Sequence, residues 1–181
     1  MKKLIFLGIL ITVLVAVFIY WNYKGTEEPD ITVSNFEECV AQGYPVMQSY
    51  PRQCRTPDGK TFTEDIGNEL EKIDLIRVNK PRPNELIKSP LEIVGEARGY
   101  WFFEADFPVK LLDADGKELG TGIAKTSSDW MTENFVPFEA EFEFQKPAAK
   151  KGTLILEKDN PSGLSEHADE LRIPVRFSNQ K

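Results

Sequence analysis

Few residues in this 181-residue chain have the types and spacing that chemistry requires. The only cysteines are Cys39 and Cys54, and the only histidine is His167. Two sulfurs without a nearby imidazole do not make a zinc site. A catalytic cysteine would need a base, and His167 lies far along the chain in the polar stretch Ser165-Glu166-His167-Ala168-Asp169, where it reads as exposed and inert. Carboxylates are plentiful: Asp113, Asp115 and Glu118 at one turn, and Asp159, Glu166, Asp169 and Glu170 at another. Asp113-Ala114-Asp115-Gly116 is similar to the opening of a calcium loop, but the third ligand and the bidentate Glu of that spacing are missing, so a solvated hairpin is the better reading. Paired-acid glycosidase chemistry needs a cleft that a small sandwich does not offer. The expectation is therefore a non-catalytic protein with no cofactor and no metal.

The elements around these residues begin with the N-terminus. Lys2 and Lys3 precede an almost unbroken apolar run from Leu4 to Trp21 that carries no charge. At 1.5 Å per residue the run is about 27 Å of helix, close to the hydrocarbon thickness of a bilayer. The basic flank predicts a cytoplasmic N-terminus, and Tyr20, Trp21 and Tyr23 suit the outer interface. A cleaved signal would need small residues near the cut, whereas Tyr20-Trp21-Asn22-Tyr23 is bulky, so an uncleaved single-pass anchor over residues 1–24 is preferred. Either reading exports the rest. With 29 acids against 22 bases, a net charge of −7 and no basic stripe, the chain is not built for nucleic acid.

After a linker at 25–34, residues 35–63 hold both cysteines. In an oxidising compartment the pair predicts a disulfide, worth about 3 kcal/mol by chain entropy to a loop-rich segment with little core. Cys54-Arg55-Thr56-Pro57-Asp58-Gly59-Lys60-Thr61-Phe62 resembles a stretch of the Kazal-type protease inhibitors. That resemblance implies inhibition through the Cys39–Cys54 loop, with Arg52 as the inserting residue. Those inhibitors rigidify their loop with three disulfides, and this chain has cysteines for one. A clipped spacer turning at Asp58-Gly59 is the simpler reading.

A charged connector, 64–72, leads to a module at 73–177 whose pattern has period two; a short tail follows at 178–181. Seven strands are predicted, at Ile73–Val78, Leu91–Ala97, Phe107–Leu112, Glu118–Ala124, Phe138–Phe144, Thr153–Glu157 and Leu171–Phe177, separated by Pro, Gly, Asp or Asn clusters. Alternation is clearest in Phe138-Glu139-Ala140-Glu141-Phe142-Glu143-Phe144. Pro174 places the last strand at an edge, or turns its prolyl position away from a neighbour. The fold class is all-β, a seven-stranded antiparallel sandwich of immunoglobulin type behind the anchor and the clipped segment.

Ser89-Pro90-Leu91-Glu92-Ile93-Val94-Gly95-Glu96-Ala97-Arg98-Gly99, Phe107-Pro108-Val109-Lys110-Leu111-Leu112-Asp113, Asp129-Trp130-Met131 and Asp159-Asn160-Pro161-Ser162-Gly163 closely resemble the immunoglobulin-like domain of bacterial sporulation and spore-germination proteins. The likeness spans about 73–177. It implies an extracytoplasmic, non-catalytic sandwich appended to other modules, and it brings no catalytic residues.

The most informative local feature is Tyr100-Trp101-Phe102-Phe103, with Trp130 in another turn-rich stretch. A strand buries only alternate residues on one face, so such a run either exposes a binding surface or folds back over the open end of the sandwich. Two functional classes follow. One is a membrane-tethered adaptor, anchored through residues 4–21, that presents the domain to an envelope protein or wall polymer; the other is an extracellular inhibitor acting through Arg52.

Overall fold

The structure is a computed structural model that describes residues 15, 17–18, 32–145 and 147–178. Apart from residues 15, 17 and 18, the apolar run Leu4–Trp21 lies outside the described residues. Among the described residues no helix is long and apolar enough to cross a membrane. The chain divides into two units: one holds residues up to 46 together with 54–62, and the other holds 47–53 with 63 onward.

The smaller unit is less irregular than its turn-rich sequence predicts. Helix α1 spans Phe36–Ala41. Asn35 caps it by accepting from the Glu38 amide at 2.9 Å, while the Glu38 carboxylate accepts from the Ser34 amide and hydroxyl, both at 2.8 Å. This is a variant of the capping box, in which Glu38 reaches back to Ser34, one residue before the N-cap Asn35. Strands β1 (Val46–Met47), β2 (Gln53–Arg55) and β3 (Thr61–Thr63) form a small sheet in that order. Cys39 and Cys54 are joined as a disulfide with Cα atoms 6.0 Å apart. The core is little more than that bridge: Phe36, Cys39 and Cys54, with Val33, Tyr44 and Phe62 against them. So small an apolar set cannot offset chain entropy without the cross-link.

In the larger unit all seven predicted strands are present, shifted by a few residues, with an eighth that the sequence does not announce. They are β4 (Ile76–Lys80), β5 (Leu86–Ile87), β6 (Leu91–Arg98), β7 (Asp106–Asp113), β8 (Glu118–Lys125), β9 (Phe135–Phe142), β10 (Lys151–Glu157) and β11 (Glu170–Phe177). Among the described residues an eight-stranded sheet and the three-stranded one replace the expected seven strands. The added strand β5 is two residues long and pairs in parallel with β11, a partner too distant in sequence to leave a local signal. The order is β4-β6-β9-β8-β7-β10-β11-β5, but β8 and β9 pair only at Lys125↔Glu139. The ladder thus folds at that seam into a three-stranded and a five-stranded layer, an immunoglobulin-like sandwich.

Inward positions alternate as period two demands. Ile93, Ala97, Phe138 and Ala140 from one layer meet Phe107, Val109, Leu111, Leu154, Leu156 and Ile173 from the other, all buried in one apolar cluster. Phe107 stacks edge-on with Phe138 at 4.9 Å between centroids, joining the two layers.

The outer side of β11 is closed by side chains and loops rather than by a full strand. Asn68 acts as a surrogate: its amide donates to the Arg172 carbonyl, its Oδ1 accepts from the Arg172 amide at 2.7 Å, and its Nδ2 donates to the Glu170 carbonyl at 3.0 Å. The Asn84 amide donates to the Pro174 carbonyl at 2.7 Å, and the Arg176 amide donates to the Glu85 carbonyl. Since Pro174 directs its carbonyl to this side, its missing N–H also faces away from β10 and no ladder bond is lost. Gly67 is required for this approach: it has φ +68°, and a Cβ there would lie 1.9 Å from the Arg172 carbonyl oxygen. Residues 64–72 thus include a strap on the sheet edge, with α2 at Glu69–Lys72 and Lys72 Nζ 2.6 Å from Asp169.

Two outcomes are expected. Replacing both cysteines by serine removes about 3 kcal/mol from the smaller unit, read as lost amide-exchange protection over 36–41 with β6 and β9 unchanged. Asn68→Ala leaves the Arg172 amide and Glu170 carbonyl unpaired and lowers stability by about 1–3 kcal/mol in urea melts.

Candidate functional site

Strand directions gather three connections at one end of the sandwich. The β6–β7 connection (99–105), the β8–β9 connection (126–134) and the β10–β11 connection (158–169) all leave from the end where Arg98 pairs with Phe135, Asp106 with Lys125, and Glu157 with Glu170. Backbone bonds tie them together: Gly99 donates to the Asn134 carbonyl, Thr126 to that of Ala105, and Asp159 to that of Trp101. Gly99 has no space for a side chain, since a Cβ would lie 2.0 Å from the Thr132 carbonyl and 2.2 Å from that of Trp130.

The aromatic run is split between core and surface, and not by strand alternation. Gly99–Trp101 form a 3₁₀ turn. That turn buries two successive residues, Trp101 (0% exposed) and Phe102 (4%), while Tyr100 (50%) and Phe103 (42%) face solvent. Phe102 stacks edge-on against Phe107 at 5.1 Å, which anchors the turn to the core. Trp130 is partly buried against the same core, and its neighbour Met131 is 79% exposed, the most exposed of the large hydrophobic side chains in the sandwich. Lys158 Nζ lies 6.0 Å from the centre of the Tyr100 ring, at the outer limit for a cation–π contact. Among the described residues the buried Trp101 indole N–H has no hydrogen-bond partner, a cost the packing of the large ring must outweigh. Chemically, this end presents exposed rings and a thioether on connections joined by backbone bonds, an apolar contact surface.

Arg52 sits in a different environment. Its Nε and Nη2 donate to the two oxygens of buried Glu64 at 2.8 and 2.5 Å. Asn84 Nδ2 donates to the same carboxylate at 3.2 Å. Beside it Glu69, also buried, accepts from the Tyr50 hydroxyl and pairs with Arg82 at 2.7 Å. The Arg52 guanidinium holds the Glu64 carboxyl below its usual range. Burial, followed by the bond to Glu69, pushes the Tyr50 phenol up. The sequence reading missed this cluster, because Glu64 and Glu69 lie in a stretch whose charge density reads as solvated.

The remaining acids have local roles. Asp113 Oδ1 accepts from the amides of Asp115 and Lys117, each at 2.9 Å, so the first ligand position of the calcium-like stretch is engaged in its own turn. His167 Nδ1 lies 3.1 Å from Ser162 Oγ, and Glu166 lies 3.9 Å from Nε2. All three residues are exposed, and Ser162 Oγ already donates to Asn160 at 2.6 Å. Nothing lowers the dielectric around a proton transfer there. Among the described residues no three His, Cys, Asp or Glu side chains are placed to hold a metal ion.

Trp101→Phe removes an unpaired buried N–H along with part of a ring and is expected to cost under about 1.5 kcal/mol, against about 3–5 kcal/mol for Trp101→Ala; chemical denaturation distinguishes them. Because the Glu64 carboxyl titrates lower when folded than when unfolded, its stabilisation is full above its unfolded value and is lost as pH falls through its folded value. Thermal melts from pH 7 to pH 3 should therefore show a shallower acid loss in Glu64→Gln than in the parent chain.

The family model described as the immunoglobulin-like domain of bacterial spore germination matches residues 75–165. Neither the curated proteins nor the solved structures contain a match. The match runs from the start of β4 into the β10–β11 connection, takes in the β6–β7 and β8–β9 connections whole, and covers just over half of the chain: this protein belongs to the family of the immunoglobulin-like domain of bacterial spore germination.

Proposed function

We propose that this protein is a non-catalytic, membrane-tethered adaptor whose sandwich is presented outside the cytoplasm and binds an envelope protein or wall polymer through its aromatic loop end. The tether is the uncharged run Leu4–Trp21, with Lys2 and Lys3 on the cytoplasmic side. The disulfide fits an oxidising, exported location. The observation that carries the reading is the arrangement of Tyr100, Phe103 and Met131: exposed apolar groups on connections tied to one another by backbone bonds and to the core by Trp101 and Phe102. Connections so constrained lose little backbone entropy on binding, and the Tyr and Phe rings have few rotamers to fix, a condition that favours aromatic anchors at an interface.

The alternative, protease inhibition through the Cys39–Cys54 loop, needs Arg52 to enter a protease pocket. That move would strip buried Glu64 of a bidentate partner, a loss of several kcal/mol. The bidentate pair therefore favours the adaptor reading.

The two readings separate on substitution. With a tagged full chain in intact cells, the triple change Tyr100→Ser, Phe103→Ser, Met131→Ser is expected to reduce recovery of the bound envelope component at least tenfold, with the melting temperature held within about 3 °C. Recovery that is unchanged, or that fails only in Arg52→Ala, contradicts the adaptor reading. A direct assay of the oxidised chain against a trypsin-like protease is expected to show no inhibition.

A further inference from the structure

The three connections of the aromatic end carry six carboxylates against one lysine and one histidine. Two of the six are answered locally: Asp169 pairs with Lys72 at 2.6 Å, and Glu166 lies 3.9 Å from His167 Nε2. Among the described residues Glu104, Asp129, Glu133 and Asp159 have no ion pair. The nearby cations are engaged elsewhere. Arg98, at the end of β6, donates to the carbonyls of Asp74 and Glu133, and Lys158 faces the Tyr100 ring.

These carboxylates stand beside the exposed apolar groups in the chain and share their fixing bonds. Asp129 Oδ1 accepts from the Met131 amide at 3.1 Å, and the Asp159 amide donates to the Trp101 carbonyl. Glu104 follows Phe103 in a turn of two successive positive φ values, +53° at Glu104 and +68° at Ala105, closed by reciprocal backbone bonds between Phe103 and Asp106. That geometry favours Asn-Gly, and an ordinary side chain is held in it at a cost in backbone energy. Among the described residues the Glu104 side chain makes no hydrogen bond or ion pair that offsets the cost. Strain retained at an exposed turn that stabilises nothing else points to a contact made outside the fold.

We propose, resting on the adaptor reading of this end, that its occupant is a protein surface carrying Arg or Lys beside apolar side chains. A guanidinium laid over an exposed aromatic face can also meet a carboxylate, so one residue type satisfies both features of the surface. An anionic wall polymer meets uncompensated carboxylates and is repelled. A neutral glycan leaves the same carboxylates without counter-charge. A second copy of this chain offers no such face, because at the opposite end of the sandwich Lys117 and Lys150 are balanced by Asp113, Asp115 and Glu143.

The test is photo-crosslinking of the tagged full chain in intact cells, with a photoreactive residue at Phe103 and the adduct identified by sequencing. Glu104→Asn, Asp129→Asn and Glu133→Gln together are expected to lower the yield of a protein adduct at least fivefold. The melting temperature should not fall, since Asn suits the left-handed position at 104 and an amide at 129 can still accept from Met131. Asp115→Asn with Glu118→Gln, at the opposite hairpin, is expected to change the yield less than twofold. In isolated membranes, added salt should lower the adduct of the parent chain and leave that of the neutralised chain unchanged. Full yield in the neutralised chain together with loss in Tyr100→Ser, Met131→Ser keeps the adaptor reading and overturns this one. No adduct, or full yield in both variants, contradicts both readings. An adduct with a wall polymer or with a second copy of this chain overturns the proposal as well.

Discussion

Phe107 stacks edge-on with Phe138 across the sandwich and with Phe102 from the loop end, at 4.9 and 5.1 Å. This three-ring series links β7 in one layer, β9 in the other and the 3₁₀ turn that carries the aromatic run. With no cysteine in the sandwich, no disulfide joins the two layers, and these rings are among the large buried side chains of the core they share. The same contact that holds the layers together fixes the turn, so Tyr100 and Phe103 are presented by the core itself. Loosening the ring series would disturb layer packing and loop position together.

A second constraint is the management of strand edges. Along β11 the chain spends Asn68, Asn84 and the glycine at 67 to close an edge that would otherwise invite pairing with another chain. At the β8–β9 seam the two layers meet through the single ladder pair Lys125↔Glu139 and the Gln145–Leu119 backbone bond, and Ile123 stays exposed.

The clearest strand was legible because it has a wet face and a dry face, Phe138, Ala140 and Phe142 alternating with Glu139 and Glu141, whereas β10 buries Leu154, Ile155 and Leu156 in succession and was legible only as a short apolar run. What the sequence did not disclose was set by partners distant in the chain. Strand β5 exists because Leu86 and Ile87 meet Arg176 and Phe177. Glu64 and Glu69 are buried because Arg52, Tyr50 and Arg82 come to them, turning a stretch that reads as a solvated connector into a strap. At the candidate site, composition identified the right residues but not their division. Burial of adjacent Trp101 and Phe102 requires the tight turn after Gly99, and that turn depends on the carbonyls of Trp130 and Thr132 lying where a Cβ would be.

The adaptor account is tested most directly by photo-crosslinking in intact cells, with a photoreactive residue placed in turn at Phe103, at Met131 and at Lys117, which lies in the hairpin at the opposite end of the sandwich. The account predicts one discrete adduct, the same at Phe103 and Met131 and absent at Lys117. Adducts of equal yield at all three positions, or none at the loop end, would contradict it.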